Sequence, residues 1–109
     1  MNFTGMLKDN SLKGKVILIT GGGTGLGKSM GKYFMELGAN LIITSRKQKS
    51  LDETANEFSD YKGDILPISG DVRDSKDVER VVKTSINTFK HIDILINNAA
   101  GNFISPTER

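Results

Sequence analysis

Between Val16 and Gly27 the chain reads VILIT and then GGGTGLG, with five glycines in seven positions. No other feature constrains the fold as strongly. An apolar run without alternation suits a strand buried on both faces, the condition of a parallel strand covered by helices. The glycines permit a sharp turn and let backbone approach a ligand without a Cβ in the way. From Gly25 the period becomes helical: Leu26, Met30, Tyr33, Phe34 and Leu37 fall on one face, and Gly38 stops the pattern. A strand, a glycine turn and a helix N-terminus in this order offer an anion unpaired N–H groups and the positive end of a helix dipole.

The same alternation continues. Residues 1–12 read as a polar, flexible lead-in, and 13–109 as one α/β unit. Leu41–Thr44 (LIIT) predicts a second buried strand, and Leu51, Ala55 and Phe58 mark a weaker helix. Ile65–Ile68 predicts a short third strand whose Pro67 suits an edge, because proline donates nothing to a ladder. Asp74 opens a further helix with Asp77 at capping-box spacing, and Val78, Val81, Val82, Ile86 and Phe89 form its apolar stripe. Ile92–Ile96 predicts the fourth strand. With no hairpin signal between strands, β-α-β-α-β-α-β implies parallel crossovers. Ser105-Pro106-Thr107-Glu108 has the residue types of a helix start. It is either a coil tail or the place where a longer protein continues; the second reading predicts no turnover and exposed apolar edges for these 109 residues alone.

Composition excludes several functions. The chain has no cysteine and one histidine, His91, so a disulfide framework, a thiolate metal site, a cysteine nucleophile and a histidine-built metal site are not expected. Its net charge of +2 is spread along the chain, which argues against nucleic acid. No apolar run approaches the roughly 18 residues of a membrane span. The expectation is a cytoplasmic globular protein.

The glycine turn admits three readings. It is a dinucleotide cradle, or a mononucleotide phosphate loop through Gly22-x-x-x-x-Gly27-Lys28-Ser29, or a merely flexible turn. Its place inside a βαβ unit favours the first. Where a dinucleotide fold reads the adenosine ribose, at the end of the second strand, stand Ser45-Arg46-Lys47, with no carboxylate before Asp52. Two cations and a hydroxyl favour a 2′-phosphate, hence NADP, unless they are only a solvated basic turn.

Thr20-Gly21-x-x-x-Gly25-x-Gly27, with Asn97-Asn98-Ala99-Ala100-Gly101 after the fourth strand and Asp71-Val72 after the third, resembles the short-chain dehydrogenase/reductase family over Lys13–Arg109. It departs at Ala100, where the family usually has glycine. The stretch NNAAGNFISPTER from Asn97 to Arg109 is similar to the 2,4-dienoyl-CoA reductases of that family. The resemblance implies the N-terminal half of a Rossmann-type parallel sheet in order 3-2-1-4. It implies that Gly21, Thr24, Gly25, Leu26 and Gly27 hold a pyrophosphate and Ser45 and Arg46 the 2′-phosphate. Asp71 and Val72 would flank adenine, and Ala99, Ala100 and Gly101 would lie along the nicotinamide ribose.

Phe103 is a wall for an acyl chain or ordinary packing, and Arg73 a cation for a CoA phosphate or a surface charge. One of Asn97 and Asn98 is expected to bridge backbone groups of neighbouring strands. The implied function is NADPH-dependent reduction of a 2,4-dienoyl-CoA, an acyl-CoA small molecule, in unsaturated fatty-acid oxidation, by a homo-oligomeric (tetrameric) parent. The alternatives are a 3-oxoacyl or sugar-alcohol reductase, or a non-catalytic NADP-binding module. The family's Tyr-x-x-x-Lys pair is absent, since Leu37 follows Tyr33 and Ile65 follows Tyr61 at that spacing. No catalytic residue is therefore assigned.

Overall fold

A computed structural model describes residues 11–98. The elements are β1 (Val16–Thr20), α1 (Gly25–Glu36), β2 (Asn40–Ser45), α2 (Gln48–Glu57), β3 (Ile65–Ser69), α3 (Ser75–Phe89) and β4 (Ile94–Asn97). All strand pairs are parallel and the sheet order is β3-β2-β1-β4, the expected 3-2-1-4. Pro67 sits on the edge strand, where its missing N–H leaves no neighbour unpaired on the outer side. The lead-in before Ser11 and the helix start at Ser105–Glu108 lie outside the described residues.

Alternation along the central strands divides the core in two. Ile17, Ile19, Leu41 and Ile43 pack with Met35, Leu51 and Phe58 beneath α1 and α2. On the other face Val16, Leu18 and Ile42 meet Val81 of α3. The second layer is thinner. The stripe of α3 is only partly covered, with Val78 40% and Val82 39% exposed, and Leu95 of β4 is 46% exposed.

Two expectations are corrected by packing. The buried line of α1 runs through Gly27, Gly31 and Met35, while Leu26 is 67% exposed. A Cβ at Gly31 would lie 2.8 Å from Leu41 Cδ2, so α1 seats its smallest residues against the sheet, and Met30 and Phe34 flank that contact. The fourth strand begins at Ile94 rather than Ile92. Asp93 replaces a ladder residue there: its Oδ2 accepts the Val16 N–H at 2.8 Å while its own N–H donates to the Val16 carbonyl at 2.9 Å.

α3 starts at Ser75 with Asp74 as its cap, the Asp74 carboxylate accepting from Lys76 N–H at 3.0 Å. The reciprocal half of a capping box is not made, because Asp77 Oδ2 accepts from Asp71 N–H at 2.9 Å instead. That bond ties the first turn of α3 to the segment that leaves β3, at the end of the sheet where the glycine turn also lies.

Candidate functional site

The carboxyl ends of the parallel strands carry most of the residues singled out from the sequence, as expected where βα turns cluster on one edge. The glycine turn is held from three sides. Gly21 N–H donates to Thr44 carbonyl at 2.7 Å, and Asn98 Nδ2 donates to Gly21 carbonyl at 3.4 Å. From α2, the Thr54 hydroxyl donates to Gly23 carbonyl at 3.0 Å. Thr20 joins the strand ends, donating to Asn97 Oδ1 at 3.0 Å and accepting from Asn98 N–H at 2.9 Å. Of the two asparagines, Asn98 is the one whose side chain reaches backbone, at the Gly21 carbonyl.

The glycines of the turn serve different ends. A Cβ at Gly27 would run into the Gly21 carbonyl and lie 2.8 Å from Asn98 Nδ2, so this glycine lets α1 close against β1 and β4. Gly25 has φ +59°, and a Cβ there would meet none of the described residues within 4 Å. It therefore opens α1 in a conformation that favours glycine, with no described residue over it. The helix end behind it is electrostatically bare. Thr24, the N-cap, makes no side-chain capping bond, and no acidic residue stands in the first turn. First-turn amides have no partner within a helix, so this end presents donors and partial positive charge.

Lys28, the residue that would make the turn a mononucleotide phosphate loop, is turned to α2, where its ammonium pairs with Glu57 at 2.7 Å. Ser45 ends β2, and its hydroxyl accepts from Lys47 N–H at 3.4 Å. Arg46 is exposed and enters no salt bridge among the described residues.

Asp71 stands across from it, at the exit of β3. Its carboxylate accepts from Arg73 N–H, Nε and Nη2 at 2.9, 3.1 and 3.1 Å. These Arg73 bonds, with smaller pulls from the charges of Arg73 and Arg46, hold the Asp71 carboxyl down at about 2. Arg73 thus has Asp71 as its partner in this structure.

Asp71 is an anion throughout the neutral range, and its depressed value stabilises the fold above the ordinary carboxylate pKa near 3.8. The contribution is lost as the pH falls from there through about 2. Arg73→Ala should raise the carboxyl part of the way toward its ordinary value, because the N–H of residue 73 still donates to it, and the rise is read from the Asp71 side-chain carbon in an NMR titration. An unchanged titration would mean that the Arg73 side chain is not the cause.

Beside Asp71 and Val72 a cavity of about 250 Å³ opens between β1, β2, β4 and α3. Its wall is apolar, with Leu18, Val78 and Val82 among its residues, and Thr20, Thr44 and Asn97 add polar atoms. Thr44 Oγ1 is buried there without a hydrogen-bond partner among the described residues. Sequence reasoning missed Thr44 and Thr54. Thr54 had a legible signal, a threonine three residues after Leu51 on an otherwise apolar helix face; Thr44 was hidden in a run of buried β-branched residues.

Ala99, Ala100, Gly101 and Phe103 lie outside the described residues. Among the described residues no group of three or more metal-ligating side chains gathers, and no helix is long and apolar enough to cross a membrane.

Comparison with known proteins adds three findings. A family model for short chain dehydrogenase matches residues 15–109. Among curated relatives, "Probable 2,4-dienoyl-CoA reductase 3" of Caenorhabditis elegans, (3E)-enoyl-CoA-producing, is 46% identical over 106 residues. That match covers 95% of this chain and 34% of the relative. "Probable 2,4-dienoyl-CoA reductase" of Bacillus subtilis, (2E)-enoyl-CoA-producing, is 40% identical over 95 residues, covering 87% and 37%. The chain therefore spans about a third of the length of these relatives. Among solved structures, 3-ketoacyl-(acyl-carrier-protein) reductase from Brucella melitensis, complexed with NADH, superposes with a TM-score of 0.72 at 37% identity. It covers 78% of this chain and 34% of that one.

Proposed function

Since this chain belongs to the short chain dehydrogenase family, we propose that it forms the dinucleotide-binding part of an NADPH-dependent reductase acting on 2,4-dienoyl-CoA thioesters. The observation that carries the dinucleotide reading is Gly25, at φ +59° with none of the described residues within 4 Å of a Cβ built there, on a helix end with neither an acidic residue nor a side-chain cap. Thr24, Gly25, Leu26 and Gly27 then supply backbone for the pyrophosphate, with Gly21 closing the turn. Ser45 and Arg46 take the 2′-phosphate through charge-assisted hydrogen bonds. Asp71 and Val72 border the cavity that receives adenine, and Ala99, Ala100 and Gly101 line the nicotinamide ribose. When bound, the cofactor supplies the hydride. The part of this chain is binding and orientation, and the proton donor is proposed to lie in the remainder of the full-length polypeptide.

The two curated relatives named as dienoyl-CoA reductases, and the NNAAGNFISPTER stretch, support an acyl-CoA substrate, with Phe103 against its acyl chain. Arg73 is the weaker proposal for the CoA phosphate, since Asp71 already engages it. A 3-oxoacyl thioester is the second reading, favoured by the likeness to a 3-ketoacyl reductase. The test is consumption of NADPH by the full-length polypeptide with a short dienoyl-CoA and a 3-oxoacyl thioester in parallel assays. Turnover of the dienoyl substrate is expected, and turnover of only the 3-oxoacyl compound would reverse the order of the two readings.

A second check addresses the mononucleotide loop. Lys28→Ala is expected to leave NADPH affinity within about twofold and to cost under about 1 kcal/mol of stability, the range of an exposed ion pair. Loss of nucleotide binding in a titration of that variant would reinstate Lys28 as a phosphate ligand.

A further inference from the structure

The hydroxyl of Thr54 does something unusual for a helical threonine. In α3, Ser85 and Thr88 return their hydroxyls to carbonyls four residues back, Val81 at 2.7 Å and Thr84 at 2.8 Å, the local bond such side chains make within helices. Thr54 instead leaves its own helix and donates to the Gly23 carbonyl, 31 residues away in sequence, at 3.0 Å. The bond is fully enclosed, with Thr54 1% exposed. α2 also lies directly on the turn: a Cβ at Gly23 would sit 3.4 Å from Ser50 Cβ and 3.5 Å from Leu51 Cδ2.

A peptide unit is planar and trans, so its C=O and N–H point in opposite directions. Drawing the Gly23 carbonyl toward α2 therefore turns the N–H of the same unit, that of Thr24, away from α2. Thr24 is exposed, and no backbone acceptor among the described residues takes its N–H.

We propose that Thr54 is a positioning residue of the dinucleotide site, holding the Gly23–Thr24 peptide so that the Thr24 N–H faces outward as a donor to the cofactor's pyrophosphate. This rests on the dinucleotide reading above and extends it to a side chain that never touches the ligand. Without the hydroxyl the peptide is free to flip and the enclosed carbonyl loses its donor. Because the pyrophosphate is common to both cofactors, the effect should not distinguish NADPH from NADH, unlike that of any residue at the 2′-phosphate.

The test titrates NADPH and NADH into the full-length polypeptide by fluorescence, with Thr54→Val, which keeps the shape but not the hydroxyl, and Thr54→Ser, which keeps the hydroxyl but not the methyl. Thr54→Val should weaken both cofactors by about tenfold, the order expected when an enclosed carbonyl is left unsatisfied. Thr54→Ser should bind both within about threefold of the unaltered protein. Circular dichroism checks that each variant folds, and Thr54→Ala takes the place of Val if Val does not. Equal affinity of Thr54→Val and the unaltered protein would overturn the inference while leaving the dinucleotide site intact. So would a Ser variant as weak as Val, since packing rather than the hydroxyl would then be responsible. If the unaltered protein binds neither cofactor, the dinucleotide reading falls and this inference with it.

Discussion

Replacing Gly25 by Val should take dinucleotide affinity of the full-length polypeptide below detection in a fluorescence titration, while the fold survives. A residue at φ +59° pays the left-handed penalty of about 1–2 kcal/mol, and β-branching sharpens it. For a protein of this family's size that shifts the melting temperature by roughly 2–8 °C. None of the described residues lies within 4 Å of the position a Cβ would take, so no core contact among them is broken. What the branched side chain does fill is the space over the bare end of α1. The contrast is with Gly27, where any side chain meets the Gly21 carbonyl and the damage is to packing first. Normal NADPH binding by a folded Gly25→Val protein would mean that the turn holds no pyrophosphate.

The second large effect is expected at Arg46. Changing it to Ala should weaken NADPH by about 1.5–3 kcal/mol, the range of hydrogen bonds to charged groups, or roughly 10- to 150-fold. NADH should be nearly unaffected, because it has no phosphate at the position that Arg46 is proposed to read. The structure leaves Arg46 exposed and outside every salt bridge among the described residues, so the guanidinium breaks no native ion pair when it turns to a ligand. The exits of β2 and β3 lie side by side, the Gly70 N–H donating to the Ser45 carbonyl at 2.8 Å, and the Arg46 charge adds a small pull on the Asp71 carboxyl. Paired titrations of the two cofactors decide the matter: an equal loss for both would refute a 2′-phosphate role. High salt should narrow the NADPH preference, since exposed charges are screened.

What could be read from this sequence follows the range of the interactions involved. The strand before Gly21, the helix after Gly25 and the βα alternation are local: apolar runs, helical periods and glycine turns involve residues close in the chain. The order 3-2-1-4 was an implication of the family resemblance, carried by short motifs at the strand ends, and the parallel sheet agrees with it.

Other features depended on which elements meet. Periodicity assigned the face of α1 to Leu26, Met30, Tyr33, Phe34 and Leu37. Met30, Phe34 and Leu37 do meet the core, but Leu26 is exposed and the sheet selected Gly27 and Gly31, which let the helix approach the Gly21 carbonyl and Leu41. Asp93 read as a strand residue until β1 supplied the Val16 N–H for its carboxylate. Asp77 had capping-box spacing, but the exit of β3 brought it the Asp71 N–H. Thr54 reaches Gly23 only because α2 crosses the turn. The elements and the glycine-rich strand-to-helix turn were legible in the chain, since they depend on neighbours a few residues apart. Tertiary structure decided which side chains are buried and which donor meets which acceptor, because those contacts exist only once distant segments are packed to within hydrogen-bonding distance.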